Sequence, residues 1–267
     1  MGEKPADDVV QYWGSPGAAA RILHAVRLEL PEGAAPADLA GLDHVHSGGL
    51  LATKALADAA GIGPGIQVLD VGAGLGGPAR WLASQFGCRV TCLDLTPEFC
   101  EAAVALTKLT RLTSLVEVVQ GDALNTPFDD ERFDVVWAQN AFMNISDKAQ
   151  LFRELHRVLK PGGKLVFQEP MAGPNQPIHY PVTWADRPEL SFLASPADCR
   201  EWVEAVGFQV RRWEDVTTWL TTLPPQPDPH GLSFEIFVSE LPLKANNNVR
   251  NRKEGRLLQW QAVCARP

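Results

Sequence analysis

From residue 66 onward the chain switches between two spacings of apolar positions. Short apolar runs stand at 66–71, 89–94, 115–119, 133–138, 164–169, 208–210 and 257–265, and they read as strands. Between them lie segments with helical spacing: 80–86, 98–110, and 149–159 with Leu151, Leu155, Val158 and Leu159 on one stripe. The stop of that last helix is marked by Lys160-Pro161-Gly162-Gly163. Ser195-Pro196-Ala197-Asp198 starts a further helix, with Ser as cap, Pro in the first turn and Asp three residues on, and Gly207 ends it. Strands alternating with helices predict an α/β fold, a Rossmann-like, seven-stranded, mostly parallel sheet with helices on both faces. The connections are too long for hairpins.

Two regions break that rhythm. Residues 1–60 show helical spacing at 18–28 and 49–61, with a linker at 31–36, and are expected to form a helical lid. Residues 61–267 then form the main domain, with a cap insertion near 217–254. There Pro224, Pro225, Pro227 and Pro229 interrupt regular structure, and a short helix is expected near 233–240. Both irregular regions are expected over the carboxyl ends of the strands, where ligands bind in such sheets.

Composition narrows the function classes. At 45% hydrophobic and 21% charged, the 267 residues have the balance of a folded domain rather than a disordered chain. No apolar run is long enough to span a membrane, and the start, Met1 to Asp8, lacks the basic-then-apolar pattern of a secretory signal. A net charge of −8 argues against phosphate neutralisation, so no nucleic-acid partner is expected. The five cysteines are odd in number with no C-x-x-C pair, which points to reduced thiols in a cytoplasmic protein and no zinc.

Residues 68–78 read VLDVGAGLGGP: a strand, then glycines, then a helix. Gly72 and Gly74 permit a sharp turn and close approach to a ligand, and Gly76 or Gly77 a tight helix start. The same string satisfies the dinucleotide pattern G-x-G-x-x-G, so a nicotinamide cofactor stays open. Asp70, two residues before the first glycine, disfavours a pyrophosphate there and favours an ammonium or a sulfonium. Asp94, at the end of the second strand, is placed to accept from ribose hydroxyls under either cofactor. Asp122, after Gly121, can accept from an adenine amine or simply form a turn.

The ordered set VLDVGAGLGG, LDLTPE, QGDALNTPF, FDVVWAQNAFMNISDK and FRELHRVLKPGGKL resembles the class I S-adenosylmethionine-dependent methyltransferases over about residues 50–215. The closing LLQWQAVCAR is similar to that family's last, antiparallel strand. Within the family, Tyr12-Trp13-Gly14, Trp137-Ala138-Gln139 and Ser146-Asp147-Lys148 look closest to the sarcosine/dimethylglycine N-methyltransferase group. The resemblance implies S-adenosyl-L-methionine as cofactor. It places Gly72, Gly74 and Gly76 along the methionine moiety, Asp94 on the ribose and Leu95 on the adenine. Asp122 and Ala123 would read the adenine edge, with Gln139 and Asn140 at the methyl-bearing end. It also implies a small organic acceptor with an N, O or C nucleophile. The partner expected is that small molecule alone, neither nucleic acid nor membrane, with a homodimer left open. The alternative is a protein of this fold that binds the cofactor without methyl transfer, a pericyclase or a binder.

Methyl transfer from a sulfonium is an in-line displacement that alignment alone can accelerate, and a base is needed only when the nucleophile must lose a proton early. The candidates are His44, His46, Asn144, Glu169, His179 and Tyr180. His44 and His46 lack a third metal ligand, so no metal is expected. His46, Glu169 and Asn144 are taken as the groups facing the acceptor, Asn144 standing where many relatives carry His. His179 and Tyr180, in the Pro-rich loop 171–186, read better as surface. Phe142, Met143, Trp184 and Phe192 read as an apolar wall or as core. The proline loop is expected to be preformed, leaving closure to the N-terminal segment.

Overall fold

The computed structural model describes residues 5–225, 228 and 230–267. Residues 1–4 of the N-terminal reading, and Pro227 and Pro229, lie outside the described residues. Four helices come first: α1 (Pro5–Trp13), α2 (Ala18–Glu29), α3 (Ala40–Asp43) and α4 (Gly49–Ala60). The alternating part runs β1 (Gln67–Val71), α5 (Gly77–Phe86), β2 (Arg89–Asp94), α6 (Pro97–Leu109), β3 (Val116–Gln120), β4 (Phe133–Gln139), α7 (Lys148–Val158), β5 (Leu159–Ala172), α8 (Pro196–Ala205) and β6 (Gln209–Asp215). Then follow α9 (Thr217–Thr222), α10 (Leu241–Lys253) and β7 (Leu257–Ala265). The strands form one seven-stranded sheet in the order β3-β2-β1-β4-β5-β7-β6. The pairs among β1 to β5 are parallel, and β7 runs antiparallel to both neighbours.

Both faces of the sheet are covered, which is why its central strands read as continuous apolar runs rather than alternating ones. Leu69, Val71, Val136, Ala138, Leu165 and Phe167 pack under α7 and α8, against Leu151, Leu155 and Val203. Val68, Val135, Trp137 and Val166 point the other way, onto Leu56 and Ala60 of α4 and Leu82 of α5. Full burial of each such side chain contributes roughly 1.5–3 kcal/mol, so this double layer holds the strand ends rigidly. The N-terminal helices join the same core: Ile22 and Val26 of α2, with Leu39 and Leu42, cluster with Phe99 and Leu106 of α6.

Three boundaries differ from the sequence reading for local reasons. α5 starts at Gly77, ahead of Arg80, because Gly76 caps it in the left-handed region (φ 75) and Pro78 suits a first turn. β5 absorbs Lys160-Pro161-Gly162-Gly163, because the end of the chain pairs with it: Gly162 N donates to Arg266 O at 2.9 Å and Arg266 N to Gly163 O at 2.8 Å. α10 is a full helix where only a short one near 233–240 was expected, and a 3₁₀ turn at Phe234–Ile236 occupies that place. Its buried face is polar. Asn247, Asn248 and Asn251 donate to Pro181 O, Thr183 Oγ1 and His179 O, and Lys244 pairs with Asp186 at 2.8 Å. α10 thus fastens the loop after β5. Among the described residues no helix is long and apolar enough to cross a membrane, and all five cysteines are free and buried.

Candidate active site

β1 pairs with β2 on one side and β4 on the other, so the chain leaves in opposite directions on its two sides and a crevice opens at the carboxyl ends. A cleft continuous with solvent lies there, with a volume of about 180 Å³. Its floor is the turn after β1. Gly72 has φ 66, and a Cβ on it would run into the Ala141 side chain; Gly74 has φ 54. Both conformations are strained for other residues. Gly76 departs from the expected role. It is absent from the cleft wall, and a Cβ there would press to 3.0 Å from Arg80 Nη1, so it shapes the helix start beneath the floor.

Besides Asp43, three carboxylates from the strands and the loops that follow them line the cleft. Asp70 is 2% exposed, and its Oδ2 has no hydrogen-bond partner although it belongs to the cleft wall. Burial, with the charge of Asp94 adding to it, pushes its pKa up to about 8, while Arg80 opposes the rise. A buried, unpaired carboxylate oxygen is costly, and a cationic donor seated in the cleft would satisfy it. Asp94 accepts from Gly74 N through Oδ2 at 2.7 Å and from Thr96 N through Oδ1 at 2.9 Å, which ties the second strand to the glycine turn. Asp122 accepts from Leu124 N at 2.8 Å, and Leu95 and Ala123 line the wall beside it.

The raised pKa of Asp70 has a measurable consequence. The folded chain holds this proton up to about pH 8, whereas an unfolded Asp has lost it above about pH 4. Between those limits folding takes up a proton, so stability falls as pH rises, by up to about 1.4 kcal/mol per unit. Glu169, which burial also pushes up to about 8, adds a slope of the same sign. In urea unfolding between about pH 5 and 8, Asp70→Asn should lose the Asp70 share and show a flatter decline than the parent. Parallel declines would contradict this placement of Asp70.

His46 reaches the cleft from the turn before α4, and its hydrogen bonds define its state. Trp137 Nε1 can only donate, and it does so to Gln139 Oε1 at 3.2 Å, which fixes that amide. Thr53 Oγ1 also donates to Gln139 Oε1, at 3.0 Å. Toward His46 the Thr53 oxygen must therefore accept, from Nε2–H at 3.1 Å, leaving the Nδ1 lone pair unprotonated. Burial, then the neighbouring His44, pushes the His46 pKa down to about 3. The imidazole is neutral at ordinary pH: an acceptor of hydrogen bonds and a weak base. Beneath it Gln139, Gln168 and Gln261 stand in register across three strands, and Gln168 Nε2 donates to Ser47 O at 2.8 Å, holding the turn on the sheet.

The other expected residues are distributed differently. Gln139 and Asn140 line the cleft, and Asn140 Oδ1 accepts from Gln259 Nε2 at 3.0 Å. Asn144 lines it too, but its amide is committed: Nδ2 donates to Trp184 O and Leu190 O, and Oδ1 accepts from Trp13 Nε1 at 3.2 Å. Glu169 is turned away from the cleft. Its carboxylate accepts from the Ala141 and Phe142 amides at 2.8 and 3.0 Å, bracing the turn after β4 from behind. His179 pairs with Glu254 of the segment after α10 at 2.8 Å, outside the cleft. Tyr180, Met143 and Trp184 belong to a separate apolar cluster under the proline loop, and Phe142 to the sheet core.

Sequence reasoning passed over several lining residues. Trp13, Phe99 and Phe237 come from three separate segments and meet at the cleft, with ring centroids 5.9 Å apart for Trp13–Phe99 and 5.4 Å for Phe99–Phe237. Asp43 and Arg80 form a fully buried ion pair at 2.6 Å, with His44 Nδ1 on the other Asp43 oxygen at 2.8 Å. Among the described residues no group of three His, Cys, Asp or Glu side chains converges as a metal site would need.

The chain is similar to known proteins. Residues 69–167 match the family model described as a methyltransferase domain. The chain is 36% identical over 178 residues to a glycine/sarcosine/dimethylglycine N-methyltransferase of Actinopolyspora halophila, covering 67% of this chain and 30% of that protein. It is 36% identical over 156 residues to a sarcosine/dimethylglycine N-methyltransferase of Halorhodospira halochloris, covering 58% of this chain and 56% of that one. The chain thus spans about half, or less, of the length of these relatives. The fold is similar to phosphoethanolamine N-methyltransferase 2 of Haemonchus contortus, solved with S-adenosyl-L-methionine, with a TM-score of 0.77 at 19% identity over 100% of this chain and 60% of that one.

Proposed function

We infer that this chain, which belongs to the class I S-adenosylmethionine-dependent methyltransferases and is related to the sarcosine/dimethylglycine N-methyltransferases, transfers a methyl group from S-adenosyl-L-methionine to a small organic acceptor. The observation that carries this reading is the orphaned carboxylate oxygen of Asp70, buried in the cleft wall beside glycine-permitted backbone. It suits the ammonium of a methionine moiety, whose charge would favour the ionised form, and in that form it repels a pyrophosphate. Asp94 would accept from the ribose hydroxyls, Leu95 would pack on the adenine, and Asp122 with Ala123 would read its edge. Gly72 and Gly74 would let the backbone lie along the methionine.

The cofactor supplies a methyl group already activated on sulfur, so the chain's own task is to align and to exclude water. Gln139, fixed by Trp137 and Thr53, and the turn braced by Glu169 define the far end of the cleft. His46 would orient the acceptor through its Nδ1 lone pair, in exchange for the long 3.5 Å contact that Gln139 Nε2 makes there; its low pKa disfavours a role as proton store. Trp13, anchored on Asn144, would close the cleft from above with α1. The net charge of −8 supports a small acceptor over nucleic acid, and the buried free thiols support a reducing, cytoplasmic setting.

Incubation with methyl-labelled cofactor and candidate acceptors tests this reading: label should pass into the small-molecule product. Label that stays on an otherwise bound cofactor with every acceptor would favour the non-transferring alternative. A narrower check concerns Thr53. Thr53→Val removes the oxygen that fixes the His46 tautomer, and turnover should fall roughly ten- to a hundredfold while cofactor affinity stays within about twofold. Equal losses in both would assign Thr53 to the fold instead.

A further inference from the structure

We propose that the acceptor is an uncharged, largely apolar molecule bearing neither carboxylate nor phosphate; this rests on the methyl-transfer reading of the same cleft. Among the described residues, the cleft is lined by the carboxylates Asp43, Asp70, Asp94 and Asp122 and by no lysine or arginine. The nearby cations are spent elsewhere. Arg80 is fully buried on Asp43 beneath the floor. Lys148 donates to the carbonyls of Ile145 and Phe192, the latter at 2.7 Å, outside the cleft. Lys244 is held by Asp186 and Tyr12.

An anion in a water-poor site requires a guanidinium, an ammonium or several free donors, and without them it keeps its water outside. Here a carboxylate or phosphate would instead join acidic side chains. Among the lining residues given no part in holding the cofactor, Ala6, Val9, Trp13, Val45, Ile145 and Phe237 are apolar. The polar handles there are few. They are uncharged: the Ser146 hydroxyl, the Asn140 amide, and His46 Nδ1, an acceptor that Gln139 Nε2 approaches to 3.5 Å, while the Asn144 amide is already committed to Trp13 and two carbonyls. That is the lining of a pocket for an apolar body with one nucleophilic atom. Sarcosine and phosphoethanolamine, which occur in the names of the related proteins, each carry an anionic group and do not suit it.

The test uses full-length protein loaded with S-adenosylhomocysteine, after calorimetry has established that it binds. Absence of that binding would overturn the methyl-transfer reading itself, and the acceptor pairs would then be measured on the unloaded cleft. Matched probes differing in one anionic group are titrated near neutral pH by fluorescence or saturation-transfer NMR: 2-naphthol against 2-naphthoate, benzyl alcohol against benzoate, and geraniol against geranyl phosphate. Each neutral member should bind at least about tenfold more tightly than its anionic partner. Equal or tighter binding of an anionic member, methylation of sarcosine or phosphoethanolamine, or failure of every neutral probe to bind would overturn the proposal.

Discussion

Replacing Asp43 by alanine should lower the stability of the protein by about 3–5 kcal/mol, the usual consequence of removing one partner of a buried ion pair. Neither Asp43 nor Arg80 has any exposed side-chain surface, and their contact is 2.6 Å. Without the carboxylate, the guanidinium would keep a long contact to Thr107 Oγ1 at 3.5 Å, and its Nε already lacks a partner. The charge would remain buried because the glycine turn lies over it: a Cβ on Gly76 would come to 3.0 Å from Arg80 Nη1. Urea unfolding at neutral pH measures the loss. A double variant, Asp43→Ala with Arg80→Leu, should regain most of it, because the cost lies in the stranded charge rather than in the pair. A single variant less than about 1 kcal/mol below the parent would show that Arg80 finds water.

Asp94→Ala should weaken S-adenosyl-L-methionine binding by about tenfold to more than a hundredfold, from the loss of charge-assisted hydrogen bonds worth roughly 1.5–3 kcal/mol. In the proposed site the side chain would have two tasks. Its oxygens already take the amides of Gly74 and Thr96, so the variant loses the ribose acceptor and also loosens the floor on which the cofactor would lie. The loss should therefore sit toward the upper end of the range. Asp94→Asn keeps a carbonyl acceptor for one amide and should fall between parent and alanine variant. Calorimetric titration of the three proteins checks the order. Indistinguishable affinities would remove Asp94 from the site.

The sheet and the acidic frame of the cleft were legible because both leave local signals. A strand buried on both faces writes a continuous apolar run; Asp70 stands near the end of β1, Asp94 ends β2, and Asp122 follows the edge strand β3. The residues that escaped are those whose meaning depends on distant partners. Asp43 and Arg80 are separated by β1 and its turn, and nothing near either announces a buried pair. Trp13, Phe99 and Phe237 lie on unrelated elements and converge only through the packing of α1 and α2 on α6. Thr53 reads as an ordinary helix residue until Gln139 comes within 3.0 Å.

α10 hid for a different reason. Lys244, Asn247, Asn248 and Asn251 recur at helical spacing, but they are polar, and a search for apolar stripes passes over them. Glu169 shows the converse. Its position at a strand end above the sheet suggested a group facing the acceptor, but side-chain direction alternates along a strand, and its carboxylate found two backbone amides behind the turn instead.

The central claim is that the Asp70, Asp94 and glycine-turn cleft is built for a sulfonium cofactor with an ammonium group, and not for a dinucleotide. Isothermal titration of the unmodified protein with S-adenosyl-L-methionine and, separately, with NAD tests it most directly. Saturable one-site binding of S-adenosyl-L-methionine, abolished or sharply weakened in Asp94→Ala, is expected, with no measurable heat from NAD. Saturable binding of NAD with none of S-adenosyl-L-methionine would contradict it.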